Sequence, residues 1–95
     1  MGMVNYGNPA GLTVAARGRD GLKLAWTDRA GNESGFAVER RTESEGYVQV
    51  ATVGPNATSY TDGGLARRTT YTYRVRAHNA AGDSAYSNEA SGTTK

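Results

Sequence analysis

The stretch Leu65-Ala66-Arg67-Arg68-Thr69-Thr70-Tyr71-Thr72-Tyr73-Arg74-Val75-Arg76-Ala77-His78-Asn79-Ala80-Ala81-Gly82-Asp83-Ser84-Ala85-Tyr86-Ser87 decides the fold. From Tyr71 it alternates Tyr71, Tyr73, Val75 and Ala77 with Thr72, Arg74, Arg76 and His78. A period of two predicts a strand with one buried face, because a helix would scatter the same residues around its axis. Asn79 to Ser84 mixes Asn, Gly, Asp and Ser and predicts a turn, with a weaker strand following from Ala85. Leu65 closes the turn before the strand. Tyr71 then stands where its hydroxyl can reach back to that turn's backbone, the tyrosine-corner geometry of β-sandwiches.

Outward from this stretch the same period recurs. Leu12, Val14 and Ala16 alternate after Pro9, and Arg17 to Gly21 is a glycine-rich turn. Leu22, Leu24 and Trp26 alternate with Lys23, Ala25 and Thr27, and Asp28 to Ser34 is a polar loop. Phe36 and Val38 point inward, with Ala37, Glu39 and Arg41 outward. Arg40 shares the inward parity and is expected near the sheet's end, its guanidinium reaching water. Thr42 to Gly46 turns the chain into a strand over Tyr47 to Val53, with Val48 and Val50 inward. Gly54-Pro55-Asn56-Ala57 is a turn, and Thr58 to Asp62 a short strand contributing Tyr60. Seven short strands separated by turns, with no helical period and no internal repeat, predict an all-β, antiparallel two-sheet sandwich.

The series Leu65, Thr69, Tyr71, Tyr73, Val75, Ala77, Asn79, Gly82, Ser84 and Ser87 closely resembles the end of a fibronectin type III domain. Trp26 stands on the second strand, where that family keeps its core tryptophan. An immunoglobulin domain would carry it on the third, beside a disulfide. The resemblance covers residues 9–94 and leaves residues 1–8 as a linker or an added start. In the family's lettering it implies a seven-stranded immunoglobulin-like sandwich with sheets A-B-E and C′-C-F-G. Trp26, Val38, Leu65, Tyr71 and Val75 would be buried between them. Two departures stand out. Arg67 occupies a position where the family often has proline, and Ala90 and Gly92 replace larger residues in the last strand. Both suggest a modest stability, on the order of 5 kcal/mol.

At 95 residues the chain makes one domain, and a mean hydropathy of -0.64 without a long apolar run leaves no membrane-spanning segment. Met1 to Asn8 lacks the basic start and apolar stretch of a signal peptide. With no cysteine, neither a disulfide nor a thiolate metal site can form, and either redox compartment is open. The net charge is only +2. His78, the single histidine, is expected on the exposed end of its strand with no serine or cysteine set to pair with it. Glu33, Glu39, Glu43, Glu45 and Glu89 are expected to be scattered over loops and outer faces, without the pocket that a general acid needs. Catalysis is therefore not expected.

Asp28 and Asn32 fall short of a calcium cage, and Gly18 and Gly21 precede a strand, unlike a phosphate loop. No metal and no cofactor are expected. Arg67 and Arg68 lie in a turn, while Arg74 and Arg76 face outward opposite Glu39. Cross-strand pairing then accounts for them without nucleic acid or heparin. Arg17-Gly18-Arg19-Asp20-Gly21 holds the letters of the integrin tripeptide in the wrong order. Asn32 and Asn56 fit glycosylation sequons in predicted loops.

Aromatic side chains offer the one opening for a ligand. Tyr47 and Tyr86 are expected on the surface, with Tyr6 in the linker, and aromatic faces can stack on sugar rings. A platform needs coplanar rings, however, and Tyr47 and Tyr86 are expected on opposite margins of the sheet. Ser34-Gly35-Phe36 and Tyr60-Thr61-Asp62 resemble the corresponding runs of such domains in secreted bacterial polysaccharide-degrading enzymes. That likeness implies a monomeric, non-catalytic accessory or spacer module of a larger extracellular protein. Its partners would be neighbouring domains, and possible ligands a polysaccharide or a protein. Two alternatives are an adhesion module presenting the BC loop (Asp28 to Ser34) and the FG loop, and an engineered binding scaffold. The FG loop lacks the Tyr and Trp anchors on which a selected paratope relies.

Overall fold

Alternation of apolar and polar residues produces eight strands in a computed structural model that describes residues 9–29, 33–80 and 82–95. They are β1 (Ala10–Ala16), β2 (Leu22–Thr27), β3 (Gly35–Arg41), β4 (Val48–Val53), β5 (Ser59–Asp62), β6 (Thr70–Asn79), β7 (Gly82–Asp83) and β8 (Ala90–Thr93). All pairings are antiparallel. One sheet has the order β1-β2-β5, the A-B-E layer. The other has β4-β3-β6-β7 with β8 also on β6, the C′-C-F-G layer. Tyr6, Asn32, the middle of the BC loop and Ala81 of the FG loop lie outside the described residues.

Between the layers lie Leu22, Leu24 and Trp26 of β2, Phe36 and Val38 of β3, and Tyr71, Tyr73, Val75 and Ala77 of β6. Leu12 and Leu65 close the core. Trp26 meets Phe36 with ring centroids 5.8 Å apart and planes tilted by 58°, the edge-on approach that aromatic quadrupoles favour. The Tyr71 hydroxyl accepts the Ala66 N–H at 3.0 Å, so the corner is formed.

The eighth strand arises because the expected last strand is split. After Asp83 the chain leaves the ladder, yet β6 keeps its partners. The amides of Val75 and Ala77 donate to Ser87 Oγ at 3.0 Å and Ser84 Oγ at 2.9 Å, while Ser87 and Ser84 return their own N–H groups to the carbonyls of Val75 and Ala77. Two hydroxyls thus replace backbone carbonyls along this edge. Tyr86 sits in the irregular run between them and does not begin a strand.

The expected face assignments change at β3 and β4. Ala51 lies opposite Val38 and Val53 opposite Phe36, with Val50 half-buried at the register shift that follows between Val38 and Glu39. Val48 lies opposite Arg40 beyond the core and is 57% exposed, not inward as its parity predicts. On the outer face Ala37 and Glu39 are buried, because the side chains of neighbouring strands cover that face too. Arg40 does not simply reach water. It donates to Asp62 Oδ2 at 2.7 Å and lies 5.4 Å from the Tyr71 ring centroid.

A side chain seals the open seam between the layers. The β1 pairing is irregular between Ala10 and Thr13, and there Leu12 turns its backbone to Asn88. Leu12 N–H donates to Asn88 Oδ1 at 2.8 Å, and Asn88 Nδ2 donates to the Leu12 carbonyl at 3.1 Å. One amide group reproduces what a neighbouring strand would offer.

Candidate functional site

Arg74 lies on the outward parity of β6, and the register sets Glu39 of β3 directly opposite. Its Nε donates to Glu39 Oε1 at 2.8 Å. Two rings then close on the same guanidinium. Tyr47, just before β4, has its ring centroid 3.9 Å from the Arg74 guanidinium carbon, and Tyr86 has its centroid 3.8 Å away. The tyrosines expected on opposite margins are therefore brought to one arginine, and neither is fully exposed.

The stack continues on both sides. Arg41 lies 5.6 Å from the Tyr47 centroid and Arg76 lies 4.7 Å from that of Tyr86. Each contact of this kind is worth about 0.5–1 kcal/mol at an exposed site. The polar ends are tied as well. Tyr86 donates its hydroxyl to Glu39 Oε2 at 2.8 Å, and Tyr47 donates to Glu89 Oε2 at 2.9 Å. Arg76 approaches Glu39 at 3.9 Å and Asp83 at 3.5 Å.

Glu39 is the hub, only 7% exposed under this cover. Burial pushes its carboxyl upward. Hydrogen bonds from Tyr86 and Arg74, and the charges of Arg74 and Arg76, outweigh that and hold it below the usual carboxylate range. A general acid needs the opposite shift. Burial and the bond to Glu39 push the Tyr86 phenol up, and burial with the bond to Glu89 does the same for Tyr47, so both remain hydrogen-bond donors. The arrangement fastens the strands of one sheet. Its ring faces meet guanidinium groups, so a sugar could stack on them only by displacing an arginine.

The other carboxylates differ from expectation in one further respect. Glu33 is buried and accepts the Asn56 N–H at 3.0 Å, joining the end of the BC loop to the turn before β5. Burial raises its pKa, and hydrogen bonds from its own amide and that of Asn56 help bring it below the usual value. His78 is half-buried, not exposed, and its Nε2 has no hydrogen-bond partner among the described residues. Arg67 and Arg68 are exposed in the turn before β6. Among the described residues no cluster of His, Cys, Asp or Glu could hold a metal ion.

Asp62 and Asn88 carry bonds that local sequence pattern does not reveal. The only early signal for Asp62 was its inward alternation with Tyr60 on one strand.

A family model described as the fibronectin type III domain matches residues 7–93. Exoglucanase A of Cellulomonas fimi is 40% identical over 75 residues, covering 79% of this chain and 8% of that protein. A poly(3-hydroxybutyrate) depolymerase of Ralstonia pickettii is 39% identical over 88 residues, covering 92% of this chain and 16% of that protein. The chain thus spans less than a fifth of either relative. A crystal structure of an Fn3-like protein from Clostridium thermocellum superposes with a TM-score of 0.78 at 32% identity, covering 94% of each chain.

Proposed function

Since the chain belongs to the fibronectin type III family, we propose that residues 9–94 form a non-catalytic accessory module, a spacer, within a larger extracellular bacterial enzyme that degrades an insoluble polymer. Both bacterial relatives carry enzyme names that fit this role, and each is several times longer than the matched segment.

The observation that carries the reading is the path of the chain. Ala10 pairs with Thr27 at the end of the sandwich that bears the BC and FG loops. Thr93 pairs with Thr70 at the other end, beside the turn that holds Leu65. Polypeptide therefore enters at one pole and leaves at the opposite one, along a body 44 Å long and 23 by 19 Å across. Thr94 fixes the exit. Its N–H donates to the Thr69 carbonyl at 3.0 Å, and its hydroxyl donates to the Ala66 carbonyl at 2.6 Å while accepting the Thr69 N–H at 3.0 Å. A module so built holds its neighbouring domains apart and gives the outgoing chain a set direction.

The test is retention of the isolated domain on crystalline cellulose, chitin, xylan and poly(3-hydroxybutyrate) granules. A spacer stays in the supernatant with all four. Retention that Tyr47→Ala or Tyr86→Ala abolishes would replace this reading with substrate targeting through the stacked rings.

A further inference from the structure

A second surface feature lies at the exit pole, away from the stacked arginines. Thr42, Glu43 and Ser44 of the turn after β3 face Arg68, Thr69 and Thr70 across a groove of about 450 Å³. Its lining has hydroxyls, one guanidinium and one carboxylate, with no aromatic ring.

We propose that this groove binds a neutral, hydroxyl-rich ligand, a short stretch of glycan. Some of the lining is already engaged, since the Thr69 hydroxyl donates to the Arg67 carbonyl and that of Thr70 pairs with Thr93. Arg68, Glu43 and the Ser44 hydroxyl have no side-chain partner among the described residues. This sets Arg68 apart from Arg40, Arg74 and Arg76, each of which meets a carboxylate. Arg68 also holds a φ of +53°, a left-handed conformation uncommon for a residue with a side chain.

The charge pattern selects the ligand class. A sulfate or carboxylate attracted by Arg68 would meet Glu43 on the other lip. Sugar hydroxyls both donate and accept, so neighbouring ones satisfy the guanidinium and the carboxylate together. The Thr94 clamp ties down Ala66 and Thr69 on either side of Arg68, so little ordering of that wall is needed on binding.

The experiment is a backbone-amide NMR titration of the full chain with cellohexaose, xylohexaose and chitohexaose in turn. Millimolar binding of at least one, with shifts confined to residues 42–44 and 68–70, is the expected result. Arg68→Gly should weaken that binding about tenfold, as loss of hydrogen bonds from a charged group implies. It should also fold at least as well as the parent, because glycine adopts positive φ freely. The proposal is overturned by the absence of shifts with all three sugars, by shifts undiminished in Arg68→Gly, or by shifts centred on Tyr47 and Tyr86. Tighter binding of inorganic sulfate at the same residues would also overturn it, in favour of an anion site. Binding this weak leaves the domain unretained on washed polymer, so this inference and the spacer reading can each fail alone.

Discussion

Tyr73 of β6 donates its hydroxyl to Asp62 of β5 at 2.7 Å, a hydrogen bond that crosses from one sheet to the other. Arg40 of β3 donates to the same oxygen at 2.7 Å, so one carboxylate that is 5% exposed ties three strands. Burial, with the bond to Asp62, pushes the Tyr73 phenol far up and keeps it a donor. Tyr73→Phe leaves the Asp62–Arg40 pair in place and should cost about 1.5–3 kcal/mol, the worth of a hydrogen bond to a charged group. Asp62→Ala should cost more, about 3–5 kcal/mol, because it strands the Arg40 charge. Urea unfolding of both variants checks the order, and a Tyr73→Phe loss equal to that of Asp62→Ala would contradict it.

Tyr71→Phe should cost about 1 kcal/mol, since it removes the acceptor of the Ala66 N–H while the ring stays packed. Unchanged urea midpoints for variant and parent would take the corner out of the stability account.

Glu39 predicts an acid dependence. Its folded pKa lies below the ordinary 4.5, so the stability it contributes is present above that value and is lost as pH falls through the lowered pKa. Glu39→Gln should flatten the fall in urea midpoint between neutral and strongly acid pH. Part of the slope should persist, because Glu33 is lowered as well. A variant whose midpoint falls as steeply as the parent's would show that Glu39 is not the linked group.

Gly92 has no room for the larger residue usual at its position. A Cβ there would meet Val14 Cγ1 at 2.6 Å and Leu22 Cδ2 at 3.2 Å. Gly92→Val should therefore destabilise by about 1–3 kcal/mol through overpacking, despite valine's higher strand propensity. A rise in the thermal midpoint would mean that β1 and β8 can separate without penalty.

Period-two alternation exposed the strands and most of the core, because burial on one face of a strand is a local signal. Trp26, Val38, Tyr71 and Val75 could be read from their immediate neighbours alone. The outer face was half legible. Arg74 and Arg76 stood visibly on the outward parity opposite Glu39, but the arrival of Tyr86 depended on the break after Asp83. That break is made by Ser84 and Ser87, whose hydroxyls look like ordinary loop chemistry until β6 is beside them. Asp62 and Asn88 were opaque for the same reason. Their partners lie 11 and 76 positions away, and only the closed sandwich brings them together. Val48 was misread because alternation does not show where the core ends, and Val48 lies opposite Arg40 past that end.

The Asn88 clasp gains a mechanical meaning from the course of the chain. The pairing registers make β1 and β8 run in the same direction between the poles, so tension applied through the two ends slides one along the other. Sliding stretches both Leu12–Asn88 bonds together, where peeling would open them singly. Asn88→Ala should lower the force at which the domain yields in single-molecule pulling, by a larger fraction than it lowers equilibrium stability. In any chain loaded through both ends of this domain, one surface asparagine would then set how hard it can be pulled before it lengthens.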